Sequence, residues 1–200
     1  MARLMFAVVA AAMAFSPIAT FAAEDVAPAV AAPPVKQLSA REKREDSLDR
    51  LFAELRRGGE GDAPRIETRI WQIWANSDSP TAEALLGQAS LAMARKEIDP
   101  SLEILDEVIS AYPEFAEAWS RRATLFFMKG DYDKALADVE KALEIEPRHF
   151  GALAGKGLVL QRQGKYGAAA EAYQAALAVN PNMTAAKEAL KALERLEAPL

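Results

Sequence analysis

Apolar residues that return every three or four positions indicate the first helices of the chain. One stripe at i, i+3, i+4 and i+7 falls on a single helical face, and its members are Leu48, Leu51, Phe52 and Leu55. After a glycine-rich break at 58–64, a second stripe contains Ile66, Ile70, Ile73 and Trp74, with Trp71 beside it. Ser79 and Pro80 are residue types that cap and begin a helix. The pattern predicts two amphipathic helices and a third that begins at residue 80.

From there the pattern repeats with a period of 34 residues. Pro113, Pro147 and Pro181 mark the period. Between these prolines, matching residues recur at the same spacing: Gly130 with Gly164, Tyr132 with Tyr166, Ala135 with Ala169, and Ala142 with Ala176. A fixed period in this range is typical of a solenoid, in which each unit stacks on its neighbours. Abundant alanine, leucine and glutamate favour helices over strands as the building elements.

The repeating unit resembles the tetratricopeptide repeat (TPR), a helix pair with aromatic and small residues at set positions and a proline near its end. In the best copy, 116–149, these positions hold Trp119, Ala123, Phe126, Ala135, Val139, Ala142 and Pro147. The resemblance implies an all-α, right-handed superhelical TPR solenoid of about three repeats. These are 82–115, 116–149 and 150–183, preceded by an N-terminal helix pair at 39–81 that reads as a degenerate repeat, and followed by a capping helix at 184–200.

Local residue types suggest how one repeat is built. Gly130 and Gly164 have the residue type that ends a helix in the left-handed conformation, and Asp131 can cap the helix that follows Gly130. The charged residues of that second helix, 132–145, are expected to face water. Because a stack exposes its end faces, residues 39–76 are expected to cap one end and residues 184–196 the other.

The N-terminus has the order of a secretory signal peptide. Arg3 precedes an apolar run from Leu4 to Phe15, and small residues follow up to Ala22. Residues 1–22 are therefore predicted to be cleaved near Ala22, and the Ala/Pro-rich stretch 23–38 is expected to be a flexible leader. This predicts export, to a bacterial periplasm, with no membrane span left after cleavage. An uncleaved N-terminal anchor is the alternative.

Composition excludes several classes of function. The formal net charge is −5, with acidic and basic residues interleaved, so nucleic acid is not expected as a partner. Cysteine is absent, which excludes disulfides, thiolate metal sites and a cysteine nucleophile. The only histidine is His149, and no nucleophile or carboxylate adjoins it in the sequence. We expect His149 to pack between repeats or lie at the surface, and we expect no catalytic activity, cofactor or metal.

The TPR resemblance also implies a binding surface. First helices of TPR units line the concave face, which here would comprise Leu86, Ser90, Met93, Glu117, Ser120, Arg121, Thr124, Phe127, Ala154, Leu158 and Gln161. This lining is mostly small and apolar, with Arg121 as one charged anchor. Some TPR proteins hold a terminal carboxylate with lysines and asparagines, which are missing at the matching positions Leu86, Ser90 and Arg121. A helix or an extended peptide on an apolar lining fits better.

These residues predict a non-catalytic scaffold that binds a protein or peptide partner, in envelope assembly or secretion. One alternative is a groove that closes on itself or on the N-terminal helices. Another is a self-associating subunit whose groove or tryptophan face, with Trp71 and Trp74, is buried in an oligomer. Arg122 is expected to meet an acid of a neighbouring repeat.

Overall fold

All the regular structure described in this protein is helical. The computed structural model describes residues 39–59 and 61–197, so the predicted signal peptide and leader lie outside the described residues. The helices of this part are α1 (Ala40–Arg57), α2 (Ala63–Trp74), α3 (Pro80–Ala94), α4 (Ile98–Ala111), α5 (Ala116–Lys129), α6 (Tyr132–Ile145), α7 (Phe150–Arg162), α8 (Tyr166–Val179) and α9 (Thr184–Glu197). None of them has the length and hydropathy to cross a membrane.

Polar side chains begin several of these helices. Ser39 and Glu42 form a reciprocal capping box at the start of α1. Ser79 accepts a hydrogen bond of 3.3 Å from the backbone N–H of Ala82, which confirms the predicted start of α3. Asp131 accepts one of 3.3 Å from a backbone N–H three residues later, as predicted for α6. Each side chain satisfies a donor that has no partner within the helix.

The corner between the two helices of a repeat uses a left-handed residue. Gly130 has φ +79° and Gly164 has φ +75°, as expected for glycine at these positions. The corner between α3 and α4 places Lys96 at the equivalent position, with φ +63°. Because a side chain crowds this conformation, Lys96 costs the first repeat about 1–2 kcal/mol relative to glycine.

The six helices α3 to α8 stack in chain order, and α9 continues the stack. Between α4 and α5, buried Leu105 and Val108 pack with Ala118 and Leu125. Tyr173 of α8 packs in the same way with the buried residues of α9. The small residues let neighbouring helices approach closely, while the larger ones fill the space between them.

The helix pair α1–α2 lies along the turns that join one repeat to the next. Its buried residues form one cluster with Phe150, with Val179 and Met183 packed against it. The side-chain amide of Asn180 donates to Glu67 at 2.6 Å, and that of Asn182 donates to the carbonyl of Leu55 at 2.9 Å. The pair therefore braces the side of the stack.

Residues 39–76, which were expected to cap the N-terminal end of the stack, do not cover it. Leu91 on the outer face of α3 is 60% exposed, so the prediction that residues 39–76 cover this end is wrong. The physical reason is that the apolar stripe of the pair, which includes Trp74, is buried against Phe150 at the turn between repeats instead of against α3.

Not every charged residue of α6 faces water. Asp138 is only 5% exposed, and both of its carboxylate oxygens accept hydrogen bonds from Arg122, at 2.7 and 2.8 Å. Arg122 also bonds to Asp106 of the preceding repeat at 2.7 Å. The expectation for Arg122 is confirmed, and Asp138 is the exception because a buried carboxylate is tolerated when it is paired.

Gly157 tests how tightly the third repeat is packed. A Cβ at Gly157 would lie 2.8 Å from two ring carbons of Tyr173, which is 4% exposed and has little room to move. We expect Gly157→Ala to lower the free energy of unfolding by about 1–3 kcal/mol, because the overlap outweighs the helix preference of alanine. Urea unfolding followed by circular dichroism at 222 nm measures the change.

Gly87→Ala is the matched control. Gly87 lies within α3, and a Cβ there meets no atom within 4 Å. The same substitution should therefore stabilise the protein by about 0.5–1 kcal/mol. Equal effects of the two substitutions would contradict the close approach of α7 and α8.

Candidate functional site

A small cleft lies between the first helices of the second and third repeats. It has a volume of about 70 Å³, roughly the space of two water molecules. Its lining is small and apolar with two hydroxyls, and consists of Ser120, Ala123, Thr124, Phe127, Val139, Gly151, Ala152, Gly155, Leu158 and Val159. We call this cleft and its rim the α5–α7 groove. Its size suits one small aliphatic side chain.

Four predicted binding residues meet in this groove, namely Ser120, Thr124, Phe127 and Leu158. Leu158 is 37% exposed and Thr124 is exposed, while Ser120 and Phe127 are half-buried. The ring of Phe127 is held against Tyr132 at 5.6 Å between centroids. The groove therefore has a fixed aromatic wall and an accessible aliphatic rim.

The other predicted residues on α3 and α7 lie outside the groove lining. Leu86 is 3% exposed and belongs to the core between α3 and α4, so it offers no open surface. Ser90 and Met93 are half-buried on α3, and Ala154 is half-buried on α7. Gln161 accepts a hydrogen bond of 3.0 Å from the hydroxyl of Tyr173.

The remaining two, Glu117 and Arg121, belong to a buried polar network. One carboxylate oxygen of Glu117 accepts a hydrogen bond from Nε of Arg121 at 2.6 Å. The other lies 3.1 Å from Nε2 of His149, and Nη1 of Arg121 donates to the hydroxyl of Ser90. The network joins the first helices of the first and second repeats to the turn before α7.

Geometry fixes the tautomer of His149. Its Nδ1 accepts a hydrogen bond of 3.0 Å from the backbone N–H of Ala152, so the proton on Nε2 is donated to Glu117. Burial alone raises the pKa of Glu117, but the hydrogen bond from His149 and the charge of Arg121 outweigh it, so the pKa lies below its usual value. Glu117 is therefore an ionised structural carboxylate.

The two tryptophans of α2 close one side of this network. The ring of Trp74 stacks on His149 with centroids 4.3 Å apart, and its Nε1 donates to Glu146 at 3.3 Å. Trp71 covers the start of α7, where a Cβ on Gly151 would lie 2.5 Å from the tryptophan ring. Trp74 is 7% exposed, so it belongs to the core and offers no free aromatic face.

The polar groups of the buried network are engaged within the chain. Glu117 is 3% exposed with both oxygens occupied, and His149 is completely buried with both ring nitrogens bonded. Within the residues that the structure describes, no three histidine, aspartate or glutamate side chains converge as a metal site. Because Arg121 is paired with Glu117, an incoming carboxylate would compete with that contact.

The Glu117–His149 contact was not predicted from the sequence. The two residues are 32 positions apart, and no pattern along the chain links them. Glu117 and Arg121 are four positions apart on one helix, a spacing that allows an ion pair, so this half of the network could have been found.

A larger cleft of about 460 Å³ lies between the pair α1–α2 and the turn before α5. Arg44, at its edge, bonds to Asp78 at 2.6 Å and to Asn76 at 3.3 Å. The α5–α7 groove is the better candidate, because it combines an apolar wall with a rim of four predicted binding residues.

Similarity to known proteins agrees with this architecture. Tetratricopeptide repeat models match three consecutive segments, residues 83–114, 116–149 and 150–183, which together cover half of the chain. A TPR repeat-containing protein of Rhizobium etli is 37% identical over 91 residues, which are 45% of this chain and 45% of the relative. The match thus spans less than half of that relative.

Several solved structures share the fold. The Sgt2 TPR domain from Aspergillus fumigatus is 26% identical with a TM-score of 0.56, over 61% of this chain and 87% of that domain. The first TPR of Spaghetti (RPAP3), bound to an HSP90 peptide, is 18% identical with a TM-score of 0.58, over 62% of this chain and 97% of that domain. The TPR2B domain of yeast Sti1 in its pHsp70 complex is 22% identical with a TM-score of 0.56, over 60% of this chain and all of that domain.

The predicted fold class is confirmed by these similarities and by the helices that the structure describes. The repeating helix pairs, their glycine corners and the three matched segments lead to one conclusion. The chain belongs to the tetratricopeptide repeat family.

Proposed function

We propose that the protein is an exported, non-catalytic scaffold that holds a protein or peptide partner in the α5–α7 groove. The observation that carries the proposal is the apolar cleft with Leu158 exposed at its rim. The first TPR of RPAP3 has been solved with an HSP90 peptide and the second with an HSP70 peptide, which supports peptide binding as a use of this architecture. An apolar segment of the partner would place a small aliphatic side chain in the cleft.

Recognition in this groove would depend more on apolar contact than on charge. Arg121 already donates to Glu117 and Ser90, so its charge is largely satisfied within the chain. The HSP90 peptide of the RPAP3 structure ends in the acidic sequence EEVD. We therefore expect a partner segment with aliphatic residues here, with no requirement for a terminal carboxylate.

Site-specific photocrosslinking in the cells of origin tests the groove. A photoreactive amino acid at position 158 should capture a partner, and the same group at exposed Glu171 on α8 is the control. Adding Phe127→Ala should reduce the adduct at position 158 by at least about fivefold, because the aromatic wall is lost. The groove proposal fails if no adduct forms, or if positions 158 and 171 give the same adducts.

Export rests on the N-terminal sequence and has its own test. Periplasmic fractions should contain a protein whose N-terminus is Ala23, as cleavage after Ala22 predicts. Recovery of the peptide that contains Arg3 from a membrane fraction would support the uncleaved anchor instead. Work in envelope assembly or secretion fits a scaffold in this compartment.

A further inference from the structure

The contact between one repeat and the next recurs at two positions of each first helix. A small and a large apolar residue, seven positions apart, lie at this contact and pack with the second helix before them in α5 and α9. Every one of them is at most 3% exposed: Ala118 and Leu125 on α5, Ala152 and Val159 on α7, and Ala186 and Leu193 on α9. In α7 the small residue packs with Val139 and Ala142 of α6, and the large one lines the cleft beside Val139. The 34-residue period therefore repeats the stacking surface as well as the fold.

Polar contacts recur across the same interface. Each of the second helices α4 and α6 offers two carboxylates seven positions apart to the next first helix. The pairs are Lys129–Asp99 at 2.6 Å and Gln163–Asp133 at 2.8 Å, and then Arg122–Asp106 at 2.7 Å and Lys156–Glu140 at 3.1 Å. The chain thus shows twice which kind of helix this surface accepts.

The first repeat carries the same surface, and no helix in the part of the chain that the structure describes covers it. Counting back 34 residues from α5 gives Ala84 and Leu91 as the apolar positions, and Gln88 and Arg95 as the polar ones. All four are exposed, and Leu91 is 60% exposed. Arg95 forms no ion pair with any residue that the structure describes. We call these four residues the α3 outer face.

The helix α8 of a second copy does not supply the missing helix. The last second helix, α8, is already covered by α9, whose Ala186 and Leu193 pack with Tyr173. At the two carboxylate positions α8 has Gly167 and Gln174, so it offers no charge to Arg95. Neither the apolar side nor the polar side of α8 matches the α3 outer face.

We propose that the α3 outer face docks an amphipathic helix of a partner protein, one that carries two acidic residues seven positions apart beside an apolar stripe. Such a helix would extend the stack by one layer, as α4 does on α5. Leu91 would enter its apolar stripe, and Arg95 would pair with the first acid. This surface is separate from the α5–α7 groove and does not depend on the function proposed for it.

The probe is a peptide taken from the chain itself. Residues 97–112 contain α4 with Asp99 and Asp106. An isolated helix of this length is marginal in water, so a lactam joins Glu103 to a lysine that replaces Glu107, both positions being exposed. Binding of this labelled peptide to the full-length protein is measured by fluorescence anisotropy.

Variants of the α3 outer face give the expected result. Leu91→Glu should weaken peptide binding at least about tenfold, because it removes the buried leucine and adds a charge. Arg95→Glu should weaken it up to about fivefold at low salt, and a peptide with Asp99→Lys should restore binding to that variant. Leu158→Glu, in the α5–α7 groove, should leave peptide binding unchanged. Circular dichroism confirms that each variant is folded.

Three outcomes would overturn the proposal. The peptide could show no saturable binding to the full-length protein. Binding could be insensitive to Leu91→Glu, which would place the peptide elsewhere, for example in exchange with α4 itself. Sedimentation could instead reveal a dimer that Leu91→Glu dissociates, which would make a second copy the occupant through a contact other than end-to-end stacking.

Discussion

Replacing Trp74 with alanine is expected to lower the free energy of unfolding by about 3–5 kcal/mol. Trp74 is 7% exposed and contacts His149, Phe52 and Phe150, with ring centroids 4.3, 6.0 and 5.1 Å away. Truncation would leave a cavity between the pair α1–α2 and the turn before α7. Urea unfolding followed by circular dichroism measures the loss.

Trp74→Phe is the matched control for this prediction. Phenylalanine keeps an aromatic ring in the cluster but loses the hydrogen bond to Glu146, which is worth about 1 kcal/mol. The alanine variant should therefore be clearly less stable than the phenylalanine variant. A loss below about 1 kcal/mol for Trp74→Ala would show that the pair α1–α2 hardly stabilises the stack.

Replacing Glu117 with alanine is expected to lower the free energy of unfolding by about 3 kcal/mol, the lower end of the range for a broken buried ion pair. The lower end applies because the side chain of Arg121 is 28% exposed and can be hydrated when its partner is lost. His149 has no exposure, so its N–H would lose its acceptor without gaining water. Chemical denaturation of Glu117→Ala measures this loss.

Glu140→Ala is the control for the loss of a carboxylate. Glu140 pairs with Lys156 at 3.1 Å, but its side chain is 51% exposed. This pair should contribute less than about 1 kcal/mol to the free energy of unfolding, since water and salt screen the two charges. Similar losses for the two variants would contradict the buried network at Glu117.

The same carboxylate gives an acid dependence with a definite sign. Burial raises the pKa of Glu117, but the hydrogen bond from His149 and the charge of Arg121 together outweigh it, so the pKa in the folded protein lies below the usual 4.5. Its stabilising effect is therefore complete above pH 4.5 and is lost as the pH falls through the lowered pKa. The stability difference between the wild-type protein and Glu117→Gln should shrink as the pH falls below 4.5, and a constant difference would contradict the shift.

The sequence predicted backbone conformation best at glycines, because glycine is the residue type that adopts the left-handed conformation without a steric penalty. Gly130 and Gly164 were predicted as left-handed corners, and both have positive φ. The corner at Lys96 was not predicted, because lysine rarely adopts this conformation and gives no signal for it. Residue types therefore predicted the two corners that contain glycine and did not predict the corner that contains lysine.

The candidate site was only partly predictable. The TPR resemblance implied that Ser120, Thr124, Phe127 and Leu158 line the concave face, and the structure brings these four residues to one groove. The same resemblance also selected Leu86, which is buried in the core, because a place on a first helix does not by itself say which neighbouring helix covers the side chain.

By itself, the sequence determined the solenoid: the 34-residue period, the small residues that allow stacking, and the caps and corners are local and repeat along the chain. Only the tertiary structure decided where the pair α1–α2 lies and which charges are buried. Trp74 meets His149, and His149 meets Glu117, across separations of 75 and 32 residues. Such contacts depend on which apolar surface buries the most area when the chain folds, and no spacing in the sequence encodes that comparison. Because the pair α1–α2 packs against the turns between repeats, it leaves the α3 outer face uncovered.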